Sequence, residues 1–519
     1  MGQIFYQLKF LAFMENKFFT KSERMSQEYC CTVVRLGEIE PIPGANTVAK
    51  TLVNGRTIVI SKDRKEGDIM IYCSNESQLN FDFLSVNNLF QHTELNCNRD
   101  EVKAWLDSAI DPVTGAIEEN VFKEYMRTHR GYFDDKGRVR MKKLAGEMSM
   151  GVLFEFETLV KWCPMLKGLN IEELVGLDFD TVNGELFIKP YVPIVKEREY
   201  EGTRKDRKRG KKLAKFDRMI PGQFAFHYDT QLFERSVNRF KPEDVVTISN
   251  KLHGTSYIIG NVLVKHPKWR GLYEKIFLKL PKFLQFTRED YDVVYSSRNV
   301  IQNATINPNK GPGYSTGLNA CFDKYYQLLK PYIPINTTFY GEIVGYVEKS
   351  NTFIQKVGKG YDYCCAPGEN RLMIYRIVET EPDGTKKEYN VRDVHQYTIE
   401  FKRWLNSQSN EDAAELADRL LPIDILYHGE LKDLYPELDV SNHWHANLLE
   451  RMKNDKEHFC MEMNEPNCRN AVPREGIVVR IENDPIKEAF KLKCLKFLGK
   501  EAAEMDKGET TDMEMAERY

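Results

Sequence analysis

From Cys31 the chain runs in short apolar-polar alternations, CTVVRLGEIEPI, TVAKTLV, RTIVISK and IMIYC, separated by the turn PGAN, the dipeptide NG and the acidic-glycine turn EGD. Alternation with period two, broken by Asn-Gly and Pro-Gly, predicts short antiparallel strands. Strands at this spacing predict a small β-barrel of the OB type, although other small barrels share the pattern. Residues 112–167 begin with a helical stretch, EENVFKEYMR, and continue into GYFDDKGRVRMKKLAG, where an Asp-Lys-Gly turn is flanked by Arg138, Arg140, Lys142 and Lys143. Such a cluster fits a solvated hairpin or an edge facing phosphates. Beyond residue 217 the β-rich pattern resumes and continues to about residue 499, with helical periodicity around 319–330, 393–421 and 444–456. WRGLYEKIFLKLPKF, beginning at Trp269, reads as an amphipathic helix with Lys on one face, a packing helix before an RNA-touching one.

Composition narrows the class. The 519 residues are 42% hydrophobic and 29% charged, which supports substantial cores and two or three domains. No run of about 18 apolar residues is present, so no membrane helix is expected. Seventy-four Lys and Arg against 77 Asp and Glu leave a formal charge of -3, so a polyanion would have to be held by local clusters. One such cluster is RKDRKRGKKLAK, Arg204–Lys215, read as a basic hinge between two domains. Eleven cysteines without a CxxC pair point to a reduced, intracellular protein, in a cytoplasm or a host cytoplasm. The first residues lack the pattern of a signal peptide, Tyr6 spoils a myristoylation motif, and a start at Met25 would make residues 1–24 a dispensable extension. The tail after Leu498 is acidic and poor in large apolar residues, hence disordered or weakly helical.

The candidate chemistry centres on Lys251. The strand-like run DVVTIS leads through Asn250 into Lys251-Leu252-His253-Gly254, after which a strand resumes. A lysine at such a tip, followed closely by glycine, is held where its amine can reach a cleft. Alone, KxxG is a weak signal that more often marks a surface turn lysine. Downstream follow Arg298 after an apolar strand (VVYSSRN), Glu342 between aromatics (FYGEIVGY), Tyr375 in LMIYRI and Glu475 opening REGIVVRI. In FKLKCLKF, Lys491 and Lys493 share one strand face while Phe490, Leu492 and Cys494 point to the core. Two inward ammonium groups call for an anion between them. There is no GxxxxGK[ST] loop, and His443 and His445 with Cys460 and Cys468 match no common zinc spacing.

This ordered set resembles the covalent nucleotidyltransferases, the superfamily of ATP-dependent RNA and DNA ligases and mRNA capping enzymes. KLHG, with His where DNA ligases and capping enzymes usually carry Asp, is similar to the RNA ligase 2 branch, and the segments GEIEPIPGAN, NGRTIVIS and EGDIMIY resemble the N-terminal OB domain of the Naegleria-type RNA ligases. The resemblance implies that Lys251 attacks ATP to form a lysyl-adenylate. It implies an ATP site of Lys251, His253, Gly254, Arg298, Glu342, Tyr375, Glu475, Lys491 and Lys493, with Lys491 and Lys493 assisting catalysis and Glu475 and Glu342 holding Mg2+ or Mn2+. Asn250 stands where many relatives carry Glu, and Tyr375 where the family more often has Phe.

The expected fold is therefore α+β: an N-terminal OB-like β-barrel plus a nucleotidyltransferase domain of antiparallel sheets with flanking helices. The expected boundaries are an extension at 1–28, the OB-like domain with additions at 29–195, a basic linker at 196–216, the adenylyltransferase domain at 217–500 and an acidic tail at 501–519. The expected activity is RNA repair by sealing 3'-OH and 5'-phosphate RNA ends, by a monomer whose partners are RNA and ATP, without a membrane. The rivals are a DNA ligase, a capping guanylyltransferase and an RNA-binding protein with a decayed catalytic domain. Only 26 residues follow Lys493, too few for the C-terminal OB domain of capping enzymes.

Overall fold

The computed structural model describes residues 18–22, 25, 27–92, 95–96, 113–115, 131–191, 216–227, 230–271, 273, 276–298, 300–306, 317–440 and 443–507. The helix expected over 118–127, the basic stretch Arg204–Lys215 and the last part of the tail, 508–519, lie outside them. The chain divides into two compact units, Met1–Tyr191 and Val192–Tyr519. Among the described residues no helix is long and apolar enough to cross a membrane.

In the first unit a four-stranded antiparallel sheet runs in the order Gly151–Phe154, Ile69–Ser74, Cys31–Arg35, Asp178–Phe179. A second sheet, Ile39–Pro41, Val48–Val53 and Arg56–Ser61, turns at Asn54-Gly55. Both turn residues have positive φ, as the two-residue hairpin loop requires. The strands expected to form a barrel lie in separate sheets, and among the described residues no barrel closes. Several strands are only two or three residues long, so each reaches one or two neighbours.

Two further expectations for this unit change. Phe19 is buried in the core and pairs with Val182, so the end of the supposed extension belongs to the fold. Arg138 does not face phosphates: it is buried, donates to Glu76 Oε2 at 2.9 and 2.5 Å and lies over the Tyr191 ring. Arg140 pairs with Asp134, and Lys142 sits 3.7 Å above the centre of the Tyr132 ring.

The second unit is built on two mainly antiparallel sheets. The five-stranded one runs in the order Gln231–Leu232, Ala489–Lys493, Gly476–Ile481, Val245–Lys251, Ile425–Glu430. The six-stranded one runs Thr287–Ser296, Thr255–Pro267, Thr337–Gly345, Asn370–Thr380, Lys386–Glu388, with Leu420–Pro422 pairing off Asn370–Thr380. Both are rich in β-branched and aromatic residues, which suit a pleated, half-buried surface. The helices Leu318–Leu329, Val391–Ser407 and Glu411–Arg419 cover the six-stranded sheet and form its core: Tyr257, Phe339 and Ile374 meet Phe322, Phe401 and Leu416.

Two local elements differ from expectation. The amphipathic helix expected from Trp269 falls partly outside the described residues: Tyr273 and Ile276 are helical, and the chain continues in the 3-10 turns Phe277–Lys279 and Lys282–Leu284, with Pro281 interrupting helical continuation between them. The start of the tail is helical, Leu495–Asp506, because Phe497, Leu498, Ala502 and Met505 give it a buried side.

Candidate active site

The strand Val245–Lys251 belongs to the five-stranded sheet, and Thr255–Pro267 belongs to the six-stranded one. Leu252, His253 and Gly254 therefore cross from one sheet to the other, and the lysine stands at the crossing. An irregularity in pairing with Ile425–Glu430, between Ile248 and Ser249, precedes Lys251 by two residues. A second, between Tyr340 and Gly341, precedes Glu342. Bulges of this kind re-aim the side chains that follow them.

Gly254 is required by space. A Cβ there would meet Ile343 O at 2.5 Å and Glu342 Cγ at 2.7 Å, so only glycine lets the loop lie this close to the strand carrying Glu342. Gln355 Nε2 donates to Gly254 O at 2.8 Å, and the His253 N–H donates to Tyr363 Oη at 2.7 Å. Burial pushes the Tyr363 and Tyr361 hydroxyls up, so both stay neutral. The His253 ring packs edge-on to Tyr361 and Phe497 at 4.9 and 5.1 Å.

The Lys251 amine, 22% exposed, donates to Glu475 Oε1 at 2.6 Å. The other Glu475 oxygen lies 3.5 Å from His253 Nδ1. Burial by itself would raise the Glu475 carboxyl. Lys251 first, then the hydrogen bond and charge of His253, and then Lys493 outweigh it and hold the group down at about 2. The register supplies this arrangement: Lys251 pairs with Gly476, and Gly476 pairs in turn with Lys493. Lys493 Nζ also lies 3.8 Å from Glu501 Oε2.

One cleft is lined by Lys251, His253, Gly254, Arg298, Glu342, Tyr375, Glu475 and Lys493, which sequence analysis singled out. It encloses about 1140 Å³ of empty space, part of it open to solvent. Lys491 is buried beside it. Its cross-strand partner Val478 lines the cleft, but Lys491 does not. The expected alternation holds on that strand, with Phe490 and Leu492 fully buried.

Sequence analysis missed His227, Arg376, Arg480 and Glu501, all of which line the cleft. Arg376 donates to Glu388 at 2.8 Å and Arg480 lies 3.0 Å from the same carboxylate. His227 stands edge-on to Tyr375 at 5.4 Å. Each missed arginine lies inside a run already quoted, LMIYRI or REGIVVRI, but arginine in a strand has no distinguishing pattern. Asn250 is buried with its amide held between Glu465 (3.1 Å) and Arg474 (3.0 Å).

Five cations of the lining (Lys251, Arg298, Arg376, Arg480, Lys493) face three carboxylates (Glu342, Glu475, Glu501). A cleft of that balance concentrates anions. Among the described residues no group of three or more His, Cys, Asp or Glu side chains is placed to hold a metal. Mg2+ and Mn2+ do not need one when one or two carboxylates act with substrate phosphates and water. Glu475, ionised down to about pH 2, and Glu342 on the other sheet fit that donor set.

No protein-family model matches the chain, and no curated protein does. Among solved structures, a glutamate-to-alanine mutant of Naegleria gruberi RNA ligase with ATP and Mn is similar over 91% of this chain and 98% of that chain, at 16% identity and a TM-score of 0.50. The same ligase with PPi matches over 91% and 98%, at 16% identity and a TM-score of 0.47. At this identity the likeness is one of fold, a mixed α/β architecture with antiparallel sheets and helices.

Proposed function

We propose that the chain is an ATP-dependent RNA ligase that joins 3'-OH and 5'-phosphate ends through AMP carried on Lys251. The observation that supports this best is the convergence of Lys251 and Lys493 of one sheet, and Glu475 at the start of one of its strands, with Glu342 and Tyr375 of the other, and Arg298 just past one of its strands, in one cation-rich cleft. The likeness in fold to an RNA ligase agrees with it.

In this reading the Lys251 nitrogen attacks the α-phosphorus of ATP. An N–P bond forms, the P–O bond to the β-phosphate breaks and pyrophosphate leaves. The attacking amine must be neutral, so its proton has to leave beforehand. Glu475 binds a proton too weakly to keep it, and instead orients the amine through their 2.6 Å contact. Arg298 and Lys493 offset the charge that develops on the α-phosphate and the leaving group. Tyr375, backed by His227, offers a ring face to the base, and Glu342 accepts from the ribose. Mg2+ or Mn2+ on Glu475 and Glu342 would supply Lewis-acid polarisation of the phosphate. AMP then passes to the RNA 5'-phosphate, and the 3'-OH displaces it as the phosphodiester forms.

The test is sealing of a nicked RNA duplex with ATP and Mg2+. The reading predicts a joined strand, with GTP or a DNA nick much poorer. Absence of joining, or a preference for GTP or DNA, contradicts it.

A further inference from the structure

We propose that the connection 268–286, at the far end of the six-stranded sheet from Lys251, is a docking platform for single-stranded RNA. Three large rings stand out from it into solvent: Trp269 at 50% exposure, Phe283 at 77% and Phe286 at 47%. Exposed aromatic surface this dense is unusual away from binding sites.

Trp269 and Phe286 are held, not loose. Trp269 stands edge-on to Tyr273 at 4.8 Å and to Phe286 at 5.8 Å. The Tyr273 hydroxyl donates to Leu284 O and accepts from the Phe286 N–H, both at 2.7 Å, which ties the two sides of the connection together. Beneath them Phe277, 1% exposed, packs on Tyr273 and on Phe216. Ordering of this kind lowers the entropy lost when a ligand stacks on the rings.

Charge selects the occupant. The segment carries Lys268, Arg270, Lys275, Lys279 and Lys282 against Glu274 alone. Lys268, Arg270 and Lys282 are exposed, and the Lys268 ammonium lies 5.3 Å from the centre of the Trp269 ring. Aromatic faces interleaved with cations are the combination that binds single-stranded nucleic acid without sequence preference, the rings stacking bases and the cations following phosphates.

Position adds to this. The strand Thr255–Pro267 runs from the Lys251 loop directly to the platform in 13 residues, which at about 3.3 Å per residue spans roughly 40 Å. A strand end reacting at Lys251 would reach the platform with about a dozen nucleotides at about 3.4 Å each. The inference rests on the RNA ligase reading for the identity of the strand.

The test uses the full chain and two variants, Trp269→Ala/Phe283→Ala/Phe286→Ala and Lys268→Glu/Lys282→Glu. Binding of labelled oligoribonucleotides of about 8 and about 24 nucleotides is followed by fluorescence anisotropy, and self-adenylylation with ATP is followed in parallel. Both variants are expected to bind the longer RNA at least about tenfold more weakly and to label with AMP at the wild-type rate, with the charge variant also showing a shallower salt dependence. Unchanged affinity for the longer RNA in either variant overturns the platform. Wild-type protein that takes up no AMP overturns the ligase reading instead, and the RNA titration still decides the platform.

Discussion

The Lys251 amine and the Glu475 carboxylate meet at 2.6 Å although 224 residues separate them. The contact follows from the ladder, because Lys251 pairs with Gly476, the residue after Glu475. Glu475→Gln keeps the shape and removes the charge. The expected result is a folded protein whose rate of AMP uptake falls by about 100-fold, in line with loss of one preorganised electrostatic partner. Initial rates of labelling from ATP check it.

The same carboxylate links stability to pH. Its folded value of about 2 lies below the ordinary 4.5, so between these values the unfolded chain binds the proton and the native one does not. The stabilisation is fully present above about pH 5 and disappears as pH falls through about 2, with a size of about 3 kcal/mol. Urea midpoints measured from pH 6 down to pH 3 are expected to fall more steeply for the wild type than for Glu475→Gln. Parallel curves would contradict the pairing.

Two glycines are expected to differ in kind. Gly254→Ala pushes on Ile343 O and Glu342 Cγ; its expected cost is about 1–3 kcal/mol of stability and up to about 100-fold in AMP uptake, since the amine and Glu342 move apart. Gly476 has φ +152°, and a Cβ there would stand 2.1 Å from Leu492 O, so Gly476→Ala is expected to destabilise more. Thermal melts of both variants beside labelling rates test the order.

Glu388 serves two arginines of the cleft wall, Arg376 at 2.8 Å and Arg480 at 3.0 Å. Glu388→Ala leaves both guanidinium groups without it and is expected to cost about 3–5 kcal/mol, read as a lowered urea midpoint. A change under about 1 kcal/mol, the size of an exposed pair, would contradict a structural role for this network.

How much of this was legible depended on the kind of signal. The alternation of Phe490, Lys491, Leu492 and Lys493 was readable because the strand period is two, and the Asn54-Gly55 turn because few other residues tolerate its φ values. The association of Lys251 with Glu475, Lys493, Arg298 and Glu342 was readable only from the order of motifs, since no local rule links residues so far apart. Arg138 was misread because a basic cluster near a turn looks solvated, whereas burial against Glu76 is a tertiary fact. The helix Leu495–Asp506 was read only as a disordered or weakly helical tail because charge masked the spacing of Leu498, Ala502 and Met505. The exposure of Trp269, Phe283 and Phe286 was hidden for the opposite reason: apolar residues at near-helical spacing ordinarily mark a packed face.

The central claim is that the Lys251 amine is the nucleophile. Incubation with Mg2+ and ATP labelled on the α-phosphate, followed by denaturation, tests it most directly. The account predicts an acid-labile, alkali-stable label on the wild-type chain and none on Lys251→Ala. Wild-type protein that acquires no label, or a Lys251→Ala protein that still acquires it, would contradict the account.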